Sequence, residues 1–131
     1  MALASRLANL SRAAGVSTRR LPLFMVTARQ FGRPVGLSRD ERSEYLPALE
    51  RSGWKLVDGR DAISKTFEFE NFTSAWGFMT KCAMVAEKSD HHPEWFNVYN
   101  RVDVTLSTHD CDGLSSRDIA LAKTMDDFSR E

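Results

Sequence analysis

The sequence predicts an α+β domain, a four-stranded antiparallel sheet layered with three helices in the order α-β-β-α-β-β-α. Three observations lead there. Two pairs of short alternating runs are each joined by a turn signal, which reads as two hairpins. Three stretches before, between and after them carry apolar residues at helical spacing. Each helix needs an apolar surface to cover, and a two-layer packing supplies one. At 131 residues, with 42% hydrophobic and 27% charged residues, the chain matches one ordinary globular domain.

Residues 1–36 read as a mitochondrial targeting segment ahead of a domain spanning residues 37–131. Leu3, Leu7, Leu10 and Ala14 fall at helical spacing, with Arg6 and Arg12 between them, frequent serines and no acids. No continuous apolar core follows the first arginine, so this is not a secretory signal. Removal is expected near Phe31-Gly32. The alternative is a disordered basic tail that stays attached, with the protein in cytoplasm and nucleus. Residues 1–39 hold seven arginines and no Asp or Glu, leaving 11 Lys/Arg against 18 Asp/Glu in the rest, a net of −7. An acidic body argues against direct nucleic-acid binding, which needs clustered basic groups. No run of 18 apolar residues is present, so no membrane span is expected. Cys82 and Cys111 form no CxxC pair and are too few for a disulfide framework, which points to a reducing compartment.

Ser38 and Glu41 make a capping box that opens the first helix. It runs to Arg51 and stops before Gly53, with Tyr45, Leu46 and Leu49 apolar and Pro47 predicting a kink or early break. Trp54 to Val57 reads as a strand, Asp58-Gly59 as a hairpin turn, and Ile63 to Phe69 as the returning strand. Lys65 interrupts the apolar face of that strand, which suggests a position near the sheet edge. Residues 73–89 give the strongest helical pattern. Ala75, Trp76, Phe78, Met79, Cys82, Ala83, Val85 and Ala86 fill an arc of roughly 180°, where one sheet needs only about 100°. The excess predicts a second partner for this helix, another subunit.

Pro93 ends that helix and pushes His92 toward extended geometry. Trp95 to Tyr99 is an aromatic strand, Asn100-Arg101 suits a tight turn, and Val102, Val104 and Leu106 alternate with polar residues. Asp112-Gly113 breaks the chain. Ser115 with Asp118 caps a last helix through Ile119, Leu121, Ala122, Met125 and Phe128.

The chemistry centres on His91-His92, with His109 past the end of the last strand. Three readings of the pair stand: surface residues without a role, metal ligands with His109, Glu87, Asp90 or Cys111, or acid/base groups. No i, i+4 helical pair or CxxC supports a metal. Imidazole exchanges protons near neutrality, and Glu87 and Asp90 are close enough in sequence to orient a ring. If the two hairpins share a sheet, His109 approaches the pair. Three imidazoles among carboxylates suit addition or elimination of water, or tautomerisation. Trp54 and Trp95 are core residues or stacking surfaces for a flat heterocycle. Cys82 reads as core, and Cys111 as a pocket-lining candidate.

Glu87-Lys88-x-Asp90-His91-His92-Pro93-Glu94-Trp95-Phe96-Asn97-Val98-Tyr99-Asn100, followed by Thr108-His109, closely resembles the pterin-4a-carbinolamine dehydratase family, whose animal members are also called dimerisation cofactor of hepatocyte nuclear factor one. The resemblance runs from about Leu37 to the C-terminus and includes Gly53-Trp54, Arg60 to Ile63 and Gly77-Phe78-Met79. The N-terminal extension is similar to that of the second animal paralogue type. The resemblance implies dehydration of 4a-hydroxytetrahydrobiopterin to quinonoid dihydrobiopterin in tetrahydrobiopterin recycling, with no metal or organic cofactor. It implies His91, His92 and His109 as the active-site histidines, His91 and His109 for proton transfer and His92 for orienting the ring. Glu87, Asp90, Ser107, Thr108 and Asp110 match substrate-contacting segments, and Trp54 and Asp118 further pocket positions. It implies three helices on one sheet face, and homodimers or homotetramers through the helix at 73–89. The alternative function it implies is a non-catalytic cofactor of a homeodomain transcription factor, bound through that same helix.

Overall fold

The computed structural model describes residues 32–131. Residues 1–31, with most of the expected targeting segment and the Phe31 side of its cleavage point, lie outside the described residues.

Helix α1 spans Arg39–Arg51, and strands β1 and β2 span Lys55–Leu56 and Ile63–Glu68. Helix α2 spans Phe72–Lys88, strands β3 and β4 span Glu94–Val98 and Arg101–Leu106, and helix α3 spans Ser116–Phe128 after a 3₁₀ turn at His109–Cys111. All four strands are antiparallel, in the order β1-β2-β4-β3. Both expected capping boxes form. Ser38 Oγ accepts from Glu41 N–H while Glu41 answers the Ser38 N–H, and Ser115 and Asp118 do the same for α3.

One face of the sheet is apolar because alternate residues point the same way. Ile63, Phe67, Val102, Val104 and Leu106 are buried there against Ala75, Phe78, Cys82 and Ala86 of α2 and Ile119, Leu121, Ala122 and Met125 of α3. Burying such side chains contributes about 1.5–3 kcal/mol each, which makes this layer contact the main stabilising term. All three helices lie on this face, and the opposite face leaves Phe96 and Val98 exposed.

The local expectations need four corrections. Pro47 does not break α1, which continues to Arg51. The tight turn of the second hairpin is Tyr99-Asn100, one residue earlier than expected, because Val98 pairs with Arg101. Tyr99 takes the left-handed conformation there, at φ 49°. The first strand keeps only Lys55–Leu56. Lys65 is not on an edge strand, since β2 lies between β1 and β4. Its Nζ turns inward and donates to Ser52 O and Asp126 Oδ1, both at 2.6 Å. Asp126 also accepts from Ser52 Oγ at 2.7 Å and from the Trp54 indole N–H at 3.1 Å. The cation on the apolar face is thus neutralised from α3.

Candidate active site

Four chain segments meet at one end of the sheet. β3 enters where β4 leaves, because Glu94 pairs with Thr105, and β2 begins there too, because Ile63 pairs with Leu106. The N-terminus of α3 returns through the Gly36–Ser115 and Thr108–Gly113 bridges.

His91 is positioned by the way α2 stops. Asp90 N–H donates to Glu87 O at 3.1 Å and His91 N–H to Ala86 O at 3.0 Å. These are the two bonds of a Schellman motif, with Asp90 as its left-handed residue at φ 48°. The position usually taken by glycine is held by an aspartate, one of the few other residues that tolerate it. His91 is therefore placed by the helix terminator itself, before Pro93 acts.

Each of the three imidazoles faces its own carboxylate through Nε2, with very different burial. His91 Nε2 is 2.8 Å from Asp118 Oδ1, with side-chain exposures of 6% and 0%. His92 Nε2 is 2.8 Å from Glu87 Oε2, and the ring is 59% exposed. His109 Nε2 is 3.6 Å from Glu94 Oε1, and the ring is 79% exposed.

The buried pair has a defined proton order. Asp118 Oδ2 accepts from Thr108 Oγ1 at 2.6 Å and from Ser115 N–H at 2.8 Å. Thr108 spends its proton there, so Ser115 Oγ donates to Thr108 Oγ1 at 2.7 Å while accepting from Arg117 N–H. With Asp118 as a carboxylate accepting on both oxygens and the ring in its neutral form, His91 Nε2 carries the hydrogen and Nδ1 keeps the lone pair. Nδ1 has no hydrogen-bond partner, yet no buried side-chain nitrogen or oxygen among the described residues is unpaired. Nδ1 is thus the ring atom that reaches the surface.

Around His109 the chain closes a cavity of about 240 Å³ lined by Gly59, Arg60, Asp61, Ser107, His109 and Asp112. Ser107 Oγ donates to Asp61 O at 2.9 Å. The Asp61 carboxylate takes a two-pronged bond from Arg42, at 2.8 and 2.6 Å, and the Leu114 N–H at 3.0 Å. The Arg42 hydrogen bonds hold its carboxyl below the ordinary range, against the opposing effect of burial. Gly113 packs closely on this carboxylate, since a Cβ there would lie 2.2 Å from Asp61 Oδ2 and force it to shift.

The expected site residues are therefore brought to one end of the sheet but not into one cavity: His109 and Ser107 line this one, and His91 and His92 do not. Three expected substrate contacts need correcting. Trp54 is 1% exposed with its indole bonded to Asp126, so it has no face on which a heterocycle could stack. Asp118 is fully enclosed, so it faces any bound molecule only by way of its bond to His91, and Thr108, also buried, spends its hydroxyl on Asp118. Asp90 and Asp110 are exposed, and Asp110 O accepts from Arg33 Nε at 3.1 Å. Cys111 is half-buried, and burial pushes its thiol up and away from reactivity. Among the described residues no three His, Cys, Asp or Glu side chains converge as metal ligands.

Sequence reasoning missed Arg42, Asp61, Ser115 and Arg117. Arg117 reaches across to donate to Asp90 O at 3.2 Å. The Ser115–Asp118 capping box was the available signal for Ser115, read only as a helix start.

A second concavity, of about 500 Å³, is apolar and lined by Trp76, Met79, Thr80, Ala83, Met84, Glu87 and Trp95. Trp76 is 57% and Met84 70% exposed. Glu87 belongs both to this groove and to the His92 pair.

A family model described as pterin 4 alpha carbinolamine dehydratase matches residues 35–128. The chain is 51% identical over 115 residues to a pterin-4-alpha-carbinolamine dehydratase of Drosophila melanogaster, covering 88% of this chain and 60% of that protein. The matched part thus spans about 60% of the fly relative's length. It is 57% identical over 93 residues to a bacterial relative described as a "putative pterin-4-alpha-carbinolamine dehydratase", from Dinoroseobacter shibae, covering 71% of this chain and 96% of the relative. A crystal structure of a transcriptional coactivator/pterin dehydratase from Brucella melitensis superposes with a TM-score of 0.67 at 51% identity, covering 72% of this chain and 98% of the other.

Proposed function

The chain belongs to the pterin 4 alpha carbinolamine dehydratase family, and on that premise we propose that it is a hydro-lyase that removes water from 4a-hydroxytetrahydrobiopterin. The C4a–O bond breaks, the hydroxyl leaves as water after gaining a proton, N5 loses its proton, and a C4a=N5 double bond forms. The reaction needs one proton donor and one proton acceptor and no electron transfer, and side chains that exchange protons near neutral pH supply both.

The observation that carries this reading is the proton order of His91. Its Nε2–H is committed to the buried Asp118 carboxylate, and its Nδ1 lone pair is at the surface. That is the state of a general base ready to take the N5 proton, with Asp118 stabilising the imidazolium that forms. His109, beside the Glu94 carboxylate, serves as the acid that protonates the leaving oxygen. His92, held by Glu87, orients the pterin. Freshly generated 4a-hydroxytetrahydrobiopterin tests the reading: His91→Ala and His109→Ala are each expected to lower turnover by about 10²-fold. Near-normal turnover in both variants would overturn the roles, and an inactive wild type the activity.

The exposed apolar groove on α2 supports a further layer of the proposal, self-association into a homodimer or homotetramer through that helix. Binding of a homeodomain transcription factor to the same face is the alternative. It predicts that His91→Ala leaves partner binding intact. Residues 1–36 direct the protein to mitochondria in this reading, and a reporter fused to them that stays in cytosol and nucleus would contradict it.

A further inference from the structure

His109 is the least restrained of the three histidines. It lies on the 3₁₀ turn after β4, its ring is mostly exposed, and among the described residues its one ion-pair partner is Glu94, at 3.6 Å. Glu94 is in turn gripped from the β1–β2 turn by Arg60, whose NH1 donates to Oε2 at 2.8 Å and whose NH2 donates to Oε1. The oxygen that faces His109 is therefore one of the two that the guanidinium fixes. The two-pronged geometry matters because a planar fork fixes a carboxylate in orientation as well as position.

We infer that Arg60 and Glu94 are positioning residues for His109, forming a clamp from the β1–β2 turn through the start of β3 that holds the imidazole in its working orientation. The inference rests on the proposed dehydratase activity, in which His109 is the proton donor. Among the described residues no other carboxylate pairs with His109. Asp61 lines the same cavity, but its carboxylate is already taken by Arg42 and the Leu114 N–H. Asp112 also lines it, on the far end of the same 3₁₀ turn and with no ion pair to the ring. His91 and His92 have their own carboxylates. The Arg60 hydrogen bonds also hold the Glu94 carboxyl below its ordinary range, so Glu94 remains an acceptor at neutral pH. Arg60 touches no reacting group in this arrangement; its action on the reaction passes entirely through Glu94.

A double-mutant cycle separates this from a merely structural contact. Arg60→Ala and Glu94→Gln are each expected to lower kcat by about 10-fold with little change in KM, a part of the 10²-fold scale for losing the acid itself. In a His109→Ala background the same substitutions are expected to have less than about a 2-fold effect, whereas in His91→Ala the full factor persists. Arg60→Lys, which keeps the charge and loses the fork, is expected to recover only part of kcat. Nitrogen-15 spectra of the rings provide a readout independent of turnover: Arg60→Ala shifts and broadens the His109 signals and leaves those of His92 in place. Equal losses in the His109→Ala and wild-type backgrounds, a loss confined to KM, or an unmoved His109 ring would overturn the clamp while leaving the dehydratase reading intact. A wild type inactive toward the carbinolamine would instead remove the reading itself.

Discussion

His91 and Asp118 stand 27 residues apart in the chain and 2.8 Å apart in the fold. Asp118 has three tasks, answering the Ser115 N–H at the start of α3, accepting from the Thr108 hydroxyl and receiving the His91 Nε2–H. Asp118→Asn keeps the shape but places two N–H donors where an all-acceptor carboxylate stood. Turnover is expected to fall by at least about 10-fold, and stability by about 1–3 kcal/mol for the mismatched buried hydrogen bonds. Parallel assays of dehydration and of urea unfolding check both, and a variant as stable and active as wild type would refute the assigned proton order. The histidine pattern was legible in the sequence because residue type and local spacing carry it. The depth of each imidazole was not, since His91 and His92 are neighbours with exposures of 6% and 59%. That difference arises from the Schellman turn, which points one ring into the molecule and lets the next leave it.

At the scale of elements, the turn between β1 and β2 is tied to α1 by Arg42–Asp61 and to the α3 entrance by Asp61–Leu114 N. Because the folded carboxyl of Asp61 titrates below its ordinary value, its contribution is complete above about pH 4 and is lost as pH falls through the lowered value. Both side chains are about a third exposed, so the contribution is discounted to about 1 kcal/mol. Thermal melts from pH 7 to pH 3 are expected to show wild type losing its advantage over Asp61→Asn in the acid range. A constant gap would refute the assignment. Between β2 and α3 the stakes are higher. Asp126→Ala strands Lys65 on the apolar face and is expected to cost about 3–5 kcal/mol in denaturant unfolding. Lys65→Met in the same chain should restore much of that, and failure to do so would show that the loss comes from elsewhere. The strands were legible from their alternation, and Lys65 stood out as a misfit. Its complement is 61 residues away, and no local pattern reports a distant partner.

At the scale of the molecule, the order of elements and the single buried sheet face follow from periodicities of two and 3.6, which is why they were legible. The 180° apolar arc of α2 divides in the fold. Ala75, Phe78, Met79, Cys82 and Ala86 face inward, while Trp76 and Ala83 stay exposed, next to Met84 and Phe72 from outside the arc. Cys82 therefore cannot serve as a probe of the outer face, since burial even pushes its thiol up to about 12. Trp76→Glu with Met84→Glu is expected to leave the fold intact and to convert the proposed homo-oligomer to monomers in sedimentation velocity. An unchanged sedimentation coefficient would place self-association elsewhere. The Lys65–Asp126 pair has a last consequence, in time. A ribosome delivers β2 well before α3, and at about 5–20 residues per second the 61 intervening residues take roughly 3–12 s. Until then β2 carries an unneutralised ammonium group on the face it must bury. Closure of the sheet face over Lys65 is therefore expected to await the synthesis of α3.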